Sequence, residues 1–414
     1  MQLRESPPSN PSYRWIVLVV ATIAQAAASF VIQGLGVLAG FLQQDLQLSG
    51  FQVGLLMAAS TAAPILALPI VGDLLDRRSE RMIVGTGAAI LAVGLVLSAL
   101  GPSFACLLPS LFIVGCGYST TQPGGSKSVT AWFRGGQLGF AMGIRQAGLP
   151  LGGATAAAVL PIIASMWSWR VALLVGAAVA LGGALVFSAL YRAPAATAGK
   201  ARQDRPPKSL ATSLAVSLAT TLASFLTMLR HPWMRGVVLS GTMLVGAQSA
   251  ILTYFMLFLR DEQSIPLVDG AWLMFAAQSC GIAGRIILAA WSDRPGTSRF
   301  RLVVASMLAV AAGMLVLALL RSQMPWPVLI VIAAWLGFFG LGWYGPWVAF
   351  VADASPPESV GLALGSAMAV NQVAIVAAPP LLGLLHDLTG GYVAVWGCLT
   401  VLLAAAVWGT RGVR

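Results

Sequence analysis

The chain has 414 residues, of which 58% are hydrophobic and only 9% are charged. Soluble globular domains carry roughly 25% charged residues, so this composition excludes a soluble globular protein. The formal net charge of +11 could suggest a nucleic-acid partner. The basic residues, however, collect on one side of the apolar runs, so we expect no nucleic-acid partner and interpret the charge as a signal of membrane orientation.

Apolar runs of about 20 residues, long enough to cross a bilayer core of about 30 Å, recur along the whole chain. They are continuous and do not alternate, as residues 82–100 illustrate, which excludes the strands of a β-barrel. The predicted fold class is therefore an all-α membrane protein with about twelve transmembrane helices in two six-helix, pseudo-symmetric halves. The predicted spans, in chain order, are 15–41, 52–72, 82–101, 104–126, 138–163, 169–191, 236–259, 268–291, 301–320, 327–351, 360–384 and 391–410.

Five segments follow from these spans. They are a cytoplasmic N-terminal tail (1–14), an N-terminal half (15–192), a cytoplasmic linker (193–235), a C-terminal half (236–410) and a cytoplasmic tail (411–414). Within the linker, apolar residues recur at helical spacing from Leu210 to Leu229, which predicts an interfacial amphipathic helix. A further span is the alternative, because residues 209–228 carry no charge.

Basic residues predict the orientation. Most of the 24 Lys and Arg residues lie on one side of the spans, and only Arg170, Arg260 and Arg321 lie on the other. The positive-inside rule then places both termini and the linker in the cytoplasm, as an even number of spans requires. The first apolar run is longer than a signal-peptide core, so we expect it to be retained. We therefore predict a multi-pass integral protein of the plasma membrane, which in a bacterium is the inner membrane.

Four cysteines, Cys106, Cys116, Cys280 and Cys398, lie inside apolar runs without metal-like spacing. They are interpreted as small buried residues. No metal or cofactor is expected.

The two halves resemble each other in sequence. Three ordered matches recur at a nearly constant offset, which favours gene duplication and a site between the halves. The matches pair Asp45 and Gly54 with Asp261 and Gly270, Asp76-Arg77 with Asp293-Arg294, and residues 139–143 with 361–365.

A loop motif follows the second span. Positions 72–81 have the sequence GDLLDRRSER, which resembles the major facilitator motif G-x-L-x-D-R-x-G-x-R except at Ser79, where that family usually has Gly. A weaker copy over 289–299 keeps Asp293 and Arg294. The resemblance, which extends over nearly the whole chain, implies the major facilitator fold, a functional monomer and a gating role for these motifs.

The gating prediction has a physical basis. A carboxylate such as Asp76 beside Arg77 at a cytoplasmic helix end can pair with a helix terminus or an arginine in one conformation and release it in another. Asp293 and Arg294 would form the second latch. A solvated loop that only sets membrane topology is the alternative.

Two arginines lie inside spans. Arg285 precedes the cytoplasmic helix end at Asp293 by eight residues, which places it roughly 12 Å inward, and Arg145 in the fifth span has a similar depth. An arginine at the bilayer centre costs about 2.5 to 3.5 kcal/mol, so each should face a cavity and bind something. The alternative is that each one snorkels or bonds backbone carbonyls.

All thirteen acidic residues fall in loops or at predicted span ends, so none can neutralise these arginines. Two unpaired guanidinium groups favour an anionic ligand, because their planar fork matches a carboxylate. In position, Arg285 is similar to the eighth-span arginine of monocarboxylate and oxalate-formate carriers. Neutral side chains should contact the substrate as well, through hydrogen bonds. The preferred candidates are Gln33, Tyr254, Tyr344 and Asn371.

The sequence therefore predicts a secondary transporter of a small organic anion, coupled to a proton or a counter-anion. Efflux of neutral or acidic drugs or metabolites is the alternative within the same superfamily. A membrane enzyme or sensor is disfavoured, because the chain contains no H-E-x-x-H, G-x-S-x-G or Walker A motif and no room for a soluble sensor domain.

Overall fold

A computed structural model describes residues 12–133, 137–194, 232–319, 323–355 and 360–410. These residues form fourteen helices, which we number in chain order. The first seven are α1 (Tyr13–Leu46), α2 (Gly50–Arg77), α3 (Glu80–Leu100), α4 (Phe104–Tyr118), α5 (Thr121–Trp132), α6 (Leu138–Met166) and α7 (Trp169–Leu190). The second seven are α8 (Pro232–Asp261), α9 (Leu267–Ser292), α10 (Arg299–Leu319), α11 (Trp326–Gly340), α12 (Tyr344–Asp353), α13 (Val360–Thr389) and α14 (Tyr392–Gly409).

Two spans are each built from two helices. α4 and α5 together form the fourth span, and α11 and α12 together form the tenth. With each pair counted once, the described segments contain 12 helices that are long and apolar enough to cross a membrane. The predicted fold class is confirmed, and the observed span ends differ from the predicted ones by a few residues. The predicted amphipathic helix of the linker lies outside the described residues.

Local sequence signals account for the turn between α2 and α3. Ser79 precedes α3, and its side chain accepts a hydrogen bond from the backbone N–H of Met82, which satisfies one free donor of the helix start. Its φ of −69° is accessible to any L-residue, so this turn forms without the glycine of the family motif. In the second copy of the motif, Gly296 has φ of 83°, a conformation that favours glycine.

The duplication predicted from the sequence has a counterpart in side-chain contacts. At the end of α1, Asp45 accepts a hydrogen bond of 2.8 Å from Trp169 Nε1 at the start of α7. At the end of α8, Asp261 accepts one of 3.2 Å from Tyr392 Oη at the start of α14. An aspartate thus ties the first span of each half to the last in the same way.

The halves are joined at the end of the molecule where α1 finishes and α2 begins, which we call the closed end. Here the carboxylate of Asp387 in α13 accepts hydrogen bonds of 2.8 Å from the backbone N–H groups of Gly50 and Phe51 in α2. Tyr254 Oη in α8 lies 3.2 Å from the carbonyl oxygen of Gly50 in α2, and 2.5 Å from that of Pro379 in its own half. The contacts with Gly50 and Phe51 cross from one half to the other.

Close backbone packing accompanies these bonds. A Cβ atom placed on Gly54 would lie 2.5 Å from the carbonyl carbon of Pro379, so only glycine allows α2 to approach α13 this closely. Arg260 in α8 adds a hydrogen bond of 2.6 Å to Gln43 Oε1 in α1. The closed end is therefore sealed by both polar contacts and tight packing.

Candidate functional site

Arg145 in α6 has no solvent-exposed area. Its Nη1 donates to Gln25 Oε1 in α1 at 3.0 Å, and its Nη2 donates to Gln122 Oε1 in α5 at 3.2 Å. Both partners are neutral amides. Its Nε has no hydrogen-bond partner among the residues that the structure describes. The guanidinium is therefore held in place by its neighbours without being neutralised by them.

Arg285 in α9 is half-buried. Its Nε donates to the carbonyl of Leu341 at 3.0 Å, at the break between α11 and α12. A helix break leaves carbonyl groups without intrahelical partners, and this arginine satisfies one of them. The guanidinium carbon also lies 5.8 Å from the ring centroid of Tyr344, within the range of a cation–π interaction.

The structure brings the two arginines together although they belong to opposite halves. Nη1 of Arg285 lies 3.5 Å from the carbonyl oxygen of Gln146, the residue that follows Arg145. The side chains of Tyr118 and Tyr344 both lie near the two guanidinium groups. These tyrosines flank the breaks in the fourth and tenth spans, so each half contributes one arginine and one broken span to the site.

Neither Arg145 nor Arg285 forms a salt bridge within the described segments. The described carboxylates lie in the first or last turns of the helices or in the loops between them. Those that pair with arginines do so with Arg77, Arg170, Arg260 and Arg299. The site thus concentrates positive charge among neutral amides and aromatic rings.

Gln33 makes a second contact between the halves. Its Nε2 donates to Ser29 Oγ at 2.8 Å and to the carbonyl of Leu149 at 2.7 Å. Its Oε1 accepts a hydrogen bond of 2.5 Å from Gln278 Nε2 in α9. Gln278 is 1% exposed, so this amide pair lies in the interior of the molecule.

The remaining predicted contacts lie elsewhere. Tyr254 is part of the closed end and is fully buried there, so the structure does not bring it to the arginines. Asn371 is buried in α13 close to Trp347 and Gly241, and its Oδ1 has no hydrogen-bond partner among the described residues. Of the six predicted residues, three (Arg145, Arg285 and Tyr344) form one cluster, and Gln33 lies on the closed-end side of that cluster.

Four neighbours of the arginines were missed by sequence reasoning, namely Tyr118, Gln122, Gln146 and Gln278. Helical spacing could have indicated one of them, because Gln278 precedes Arg285 by seven residues and so shares its face of α9. No comparable spacing in the sequence indicated Tyr118 or Gln122. Their positions depend on where the fourth span breaks, which the apolar run does not indicate.

The motif loops make contacts within their own halves. Arg77 pairs with Asp73 at 2.8 Å, and the side chain of Asp76 lies outside the described residues. In the second copy, Asp293 pairs with Arg299 at 3.3 Å, and Arg299 also binds Asp353 at 2.6 Å. The exposed Arg294 follows Asp293 in the same turn. The gating role of these residues stays a prediction.

A family model described as Major Facilitator Superfamily matches residues 21–379. The chain belongs to the major facilitator superfamily. Its twelve apolar helices fit a multi-pass integral membrane protein, and the relatives of this major facilitator chain are transporters, not enzymes.

Three relatives illustrate the similarity. An uncharacterized MFS-type transporter of Mycobacterium tuberculosis is 26% identical over 97% of this chain and 85% of its own length. The "Probable galactarate/D-glucarate transporter GudP" of Bacillus subtilis is 21% identical over 92% of this chain and 87% of its own. The "Probable sulfoacetate transporter SauU" of Cupriavidus necator is 27% identical over 43% of this chain and 42% of its own.

Solved structures agree on the fold. A bacterial homolog of the human lysosomal transporter Spinster, in an inward-facing and occupied conformation, has a TM-score of 0.75 at 15% identity and covers 97% of both chains. The nucleoside transporter NupG has a TM-score of 0.77 at 14% identity and covers 96% of this chain and 99% of its own. At such low identities these similarities establish the fold alone.

Proposed function

We propose that this major facilitator protein is a secondary active transporter that carries a small organic anion, of the mono- or dicarboxylate type, across the inner membrane by alternating access. The observation that carries the proposal is the pair Arg145 and Arg285, which meet at the boundary between the halves with only neutral partners. Buried charge without a counterion is costly in a membrane protein, so a ligand that supplies the counterion is favoured.

Hydrogen-bond accounting at Arg145 points to the same ligand class. Arg145 Nε is buried and has no partner among the described atoms. This group can only donate, so a ligand that satisfies it must offer an acceptor. A carboxylate offers two oxygens and a negative charge, and the planar guanidinium fork matches it.

Alternating access would use the position of this site between the halves. A ligand held by one arginine from each half would become accessible from one side of the membrane and then the other as the two halves rock around it. The contacts of Asp387 and Tyr254 with the start of α2 hold one end of the transporter closed in the present conformation. In the proposed orientation, with both termini in the cytoplasm, this closed end faces away from the cytoplasm, and Asp76, Arg77, Asp293 and Arg294 would act as gate residues at the opposite end.

The names of two relatives support the anion class. Galactarate and D-glucarate are dicarboxylates, and sulfoacetate carries a sulfonate and a carboxylate. All of these are small organic anions, and two arginines would suit such ligands.

Thermal unfolding of the purified protein with a panel of mono- and dicarboxylates tests the proposal. A ligand at a hundred times its dissociation constant adds about 2.7 kcal/mol of stability, which is measurable. We expect at least one carboxylate to stabilise the wild type and to lose this effect in Arg145→Gln and Arg285→Gln. Arg170→Gln is the matched control, because Arg170 has a carboxylate partner, Asp45, at 3.0 Å. If only neutral compounds stabilise the protein, the organic-anion proposal is wrong, and efflux of neutral compounds becomes the favoured function.

A further inference from the structure

The orientation of the Gln33 and Gln278 side chains can be assigned from their partners. Gln33 faces the carbonyl oxygen of Leu149 at 2.7 Å, and a carbonyl can only accept, so the group that faces it must be the NH₂ of Gln33. The oxygen of Gln33 therefore points to Gln278, 2.5 Å away, and Gln278 must present its own NH₂ to it. Both amide orientations follow from one carbonyl group.

This assignment leaves one acceptor unsatisfied. Gln278 Oε1 is buried and has no hydrogen-bond partner in the described part of the chain, and the residue is only 1% exposed. An unsatisfied buried polar atom is costly, so a ligand group that donates a hydrogen bond to it is favoured. The unsatisfied Nε of Arg145 is a donor, whereas this atom is an acceptor.

Gln278 lies on the closed-end side of the arginines. It precedes Arg285 by seven residues on α9, and Gln33 follows Gln25, the partner of Arg145, by eight residues on α1. The spacing of seven returns to the same helix face, and the two spacings correspond to about 10 and 12 Å along the helix axes. Arg285 Nε bonds the carbonyl of Leu341, which also packs beside Gly281, one helical turn closer to Gln278. The Arg285 side chain therefore extends toward the amide, so one small molecule could contact both.

We propose that Gln278 is a specificity-determining residue that accepts a hydrogen bond from a hydroxyl group of the substrate, while the arginines bind its carboxylate. The transported anion is then a hydroxylated carboxylate in preference to its deoxygenated analogue. This inference rests on the proposed function of Arg145 and Arg285. It adds a second recognition point, at the opposite end of the ligand from the carboxylate.

A length series of ligands tests the proposal. The binding of 3-hydroxypropionate, 4-hydroxybutyrate, 5-hydroxypentanoate, 6-hydroxyhexanoate and 7-hydroxyheptanoate is compared with that of the unsubstituted acids, by thermal unfolding of the purified protein. Because the hydroxyl must reach one fixed acceptor, we expect it to improve affinity about tenfold at one or two adjacent chain lengths. In Gln278→Met, which cannot accept this bond, the improvement should vanish while the unsubstituted acids still bind.

Gln372→Met is the matched control. Gln372 also links the halves, through a hydrogen bond of 2.7 Å from its Nε2 to the carbonyl of Thr61, but it belongs to a different helix pair. This variant should keep the hydroxyl preference. The role of Gln278 is overturned if Gln278→Met still prefers the hydroxylated acids, or if the wild type prefers them at no chain length. In either case, binding of the unsubstituted acids would still support the anion site. If no carboxylate in either series binds, the anion site and the hydroxyl contact both fail.

Discussion

Two of the helix pairs that join the halves are related by the internal repeat. In the repeat, α6 corresponds to α13 and α2 corresponds to α9, so the pair α6 and α9 is equivalent to the pair α13 and α2. The first pair, which we call the arginine seam, carries Arg145 and Arg285. The second pair, which we call the closing seam, carries Gln372, Asp387 and the tightly packed Gly54.

The same scaffold therefore carries different chemistry on its two sides. Alignment of Gly139 with Gly361 places Ala367 at the position of Arg145, and alignment of Asp76 with Asp293 places Leu68 at the position of Arg285. Duplication accounts for the paired helices and for the matching aspartates that tie each half together. The arginines are present on one side only, so one seam concentrates positive charge and the other provides close packing and a helix cap.

The largest expected effect distinguishes the two seams directly. Truncation of one partner of a buried charged contact costs about 2 to 5 kcal/mol, so Arg285→Gln should reduce uptake of a bound carboxylate into proteoliposomes by about a hundredfold. Gln372→Met removes a single neutral hydrogen bond from the closing seam, and uptake should change by less than about tenfold. Equal losses in both variants would mean that the seams do not differ in function.

Packing at the closing seam provides the second prediction. In Gly54→Ala the added Cβ would lie 2.5 Å from the backbone of Pro379, so the closed end should be destabilised by about 1 to 3 kcal/mol. We expect slower transport with carboxylate binding retained, because the arginine seam is unchanged. Gly397→Ala is the control, since a Cβ there meets no atom within 4 Å. Unchanged transport in Gly54→Ala would show that this close approach is not required.

The third prediction concerns the carboxylate that caps α2 across the halves. Asp387→Asn keeps the size of the side chain and removes its charge, which should weaken the closed end by about 1 kcal/mol. Hydrogen–deuterium exchange of the backbone amides of Gly50 and Phe51 should then become about fivefold faster. Asp269→Asn, at the start of α9, is the control and should leave these two amides unaffected. Equal protection in both variants would contradict the capping role of Asp387.

The smallest effect is expected away from both seams. Arg299→Gln breaks two ion pairs, with Asp293 and Asp353, whose carboxylates are 71% and 55% exposed. Exposed ion pairs contribute about 0.2 to 1 kcal/mol, so the free energy of unfolding should fall by about 1 kcal/mol or less. Carboxylate binding should not change. A loss of binding in Arg299→Gln would instead connect this loop motif to the site, and would support the predicted gating role of Asp293 and Arg294.

Much of the architecture could be predicted from the sequence. A bilayer requires long apolar helices, so the twelve spans, and with them the fold class, are visible in hydropathy alone. The positions of Arg145 and Arg285 within their spans were predicted as well, because helix rise converts residue number into depth. Tyr344 was expected near the site and lies beside Arg285.

The partners of the arginines could not be predicted in the same way. Tyr254 was expected at the site, yet packing places it at the closed end, where its hydroxyl binds Pro379. Gln278 was overlooked, although it is fully enclosed and bonded to Gln33. An apolar run indicates that a helix crosses the membrane but says little about its rotation about its own axis, and a small rotation decides which polar side chain faces the neighbouring helix.

The sequence by itself determined the membrane class and the number of spans, and it predicts the duplication and the depth of the two arginines, because each depends on length, composition or spacing along one chain. Only the tertiary structure decided that Arg285 reaches the backbone next to Arg145, that Leu341 at a helix break holds Arg285, and that Gln278 keeps an unsatisfied acceptor. Those contacts depend on where spans break and how helices rotate, and both are determined by packing between elements far apart in the chain.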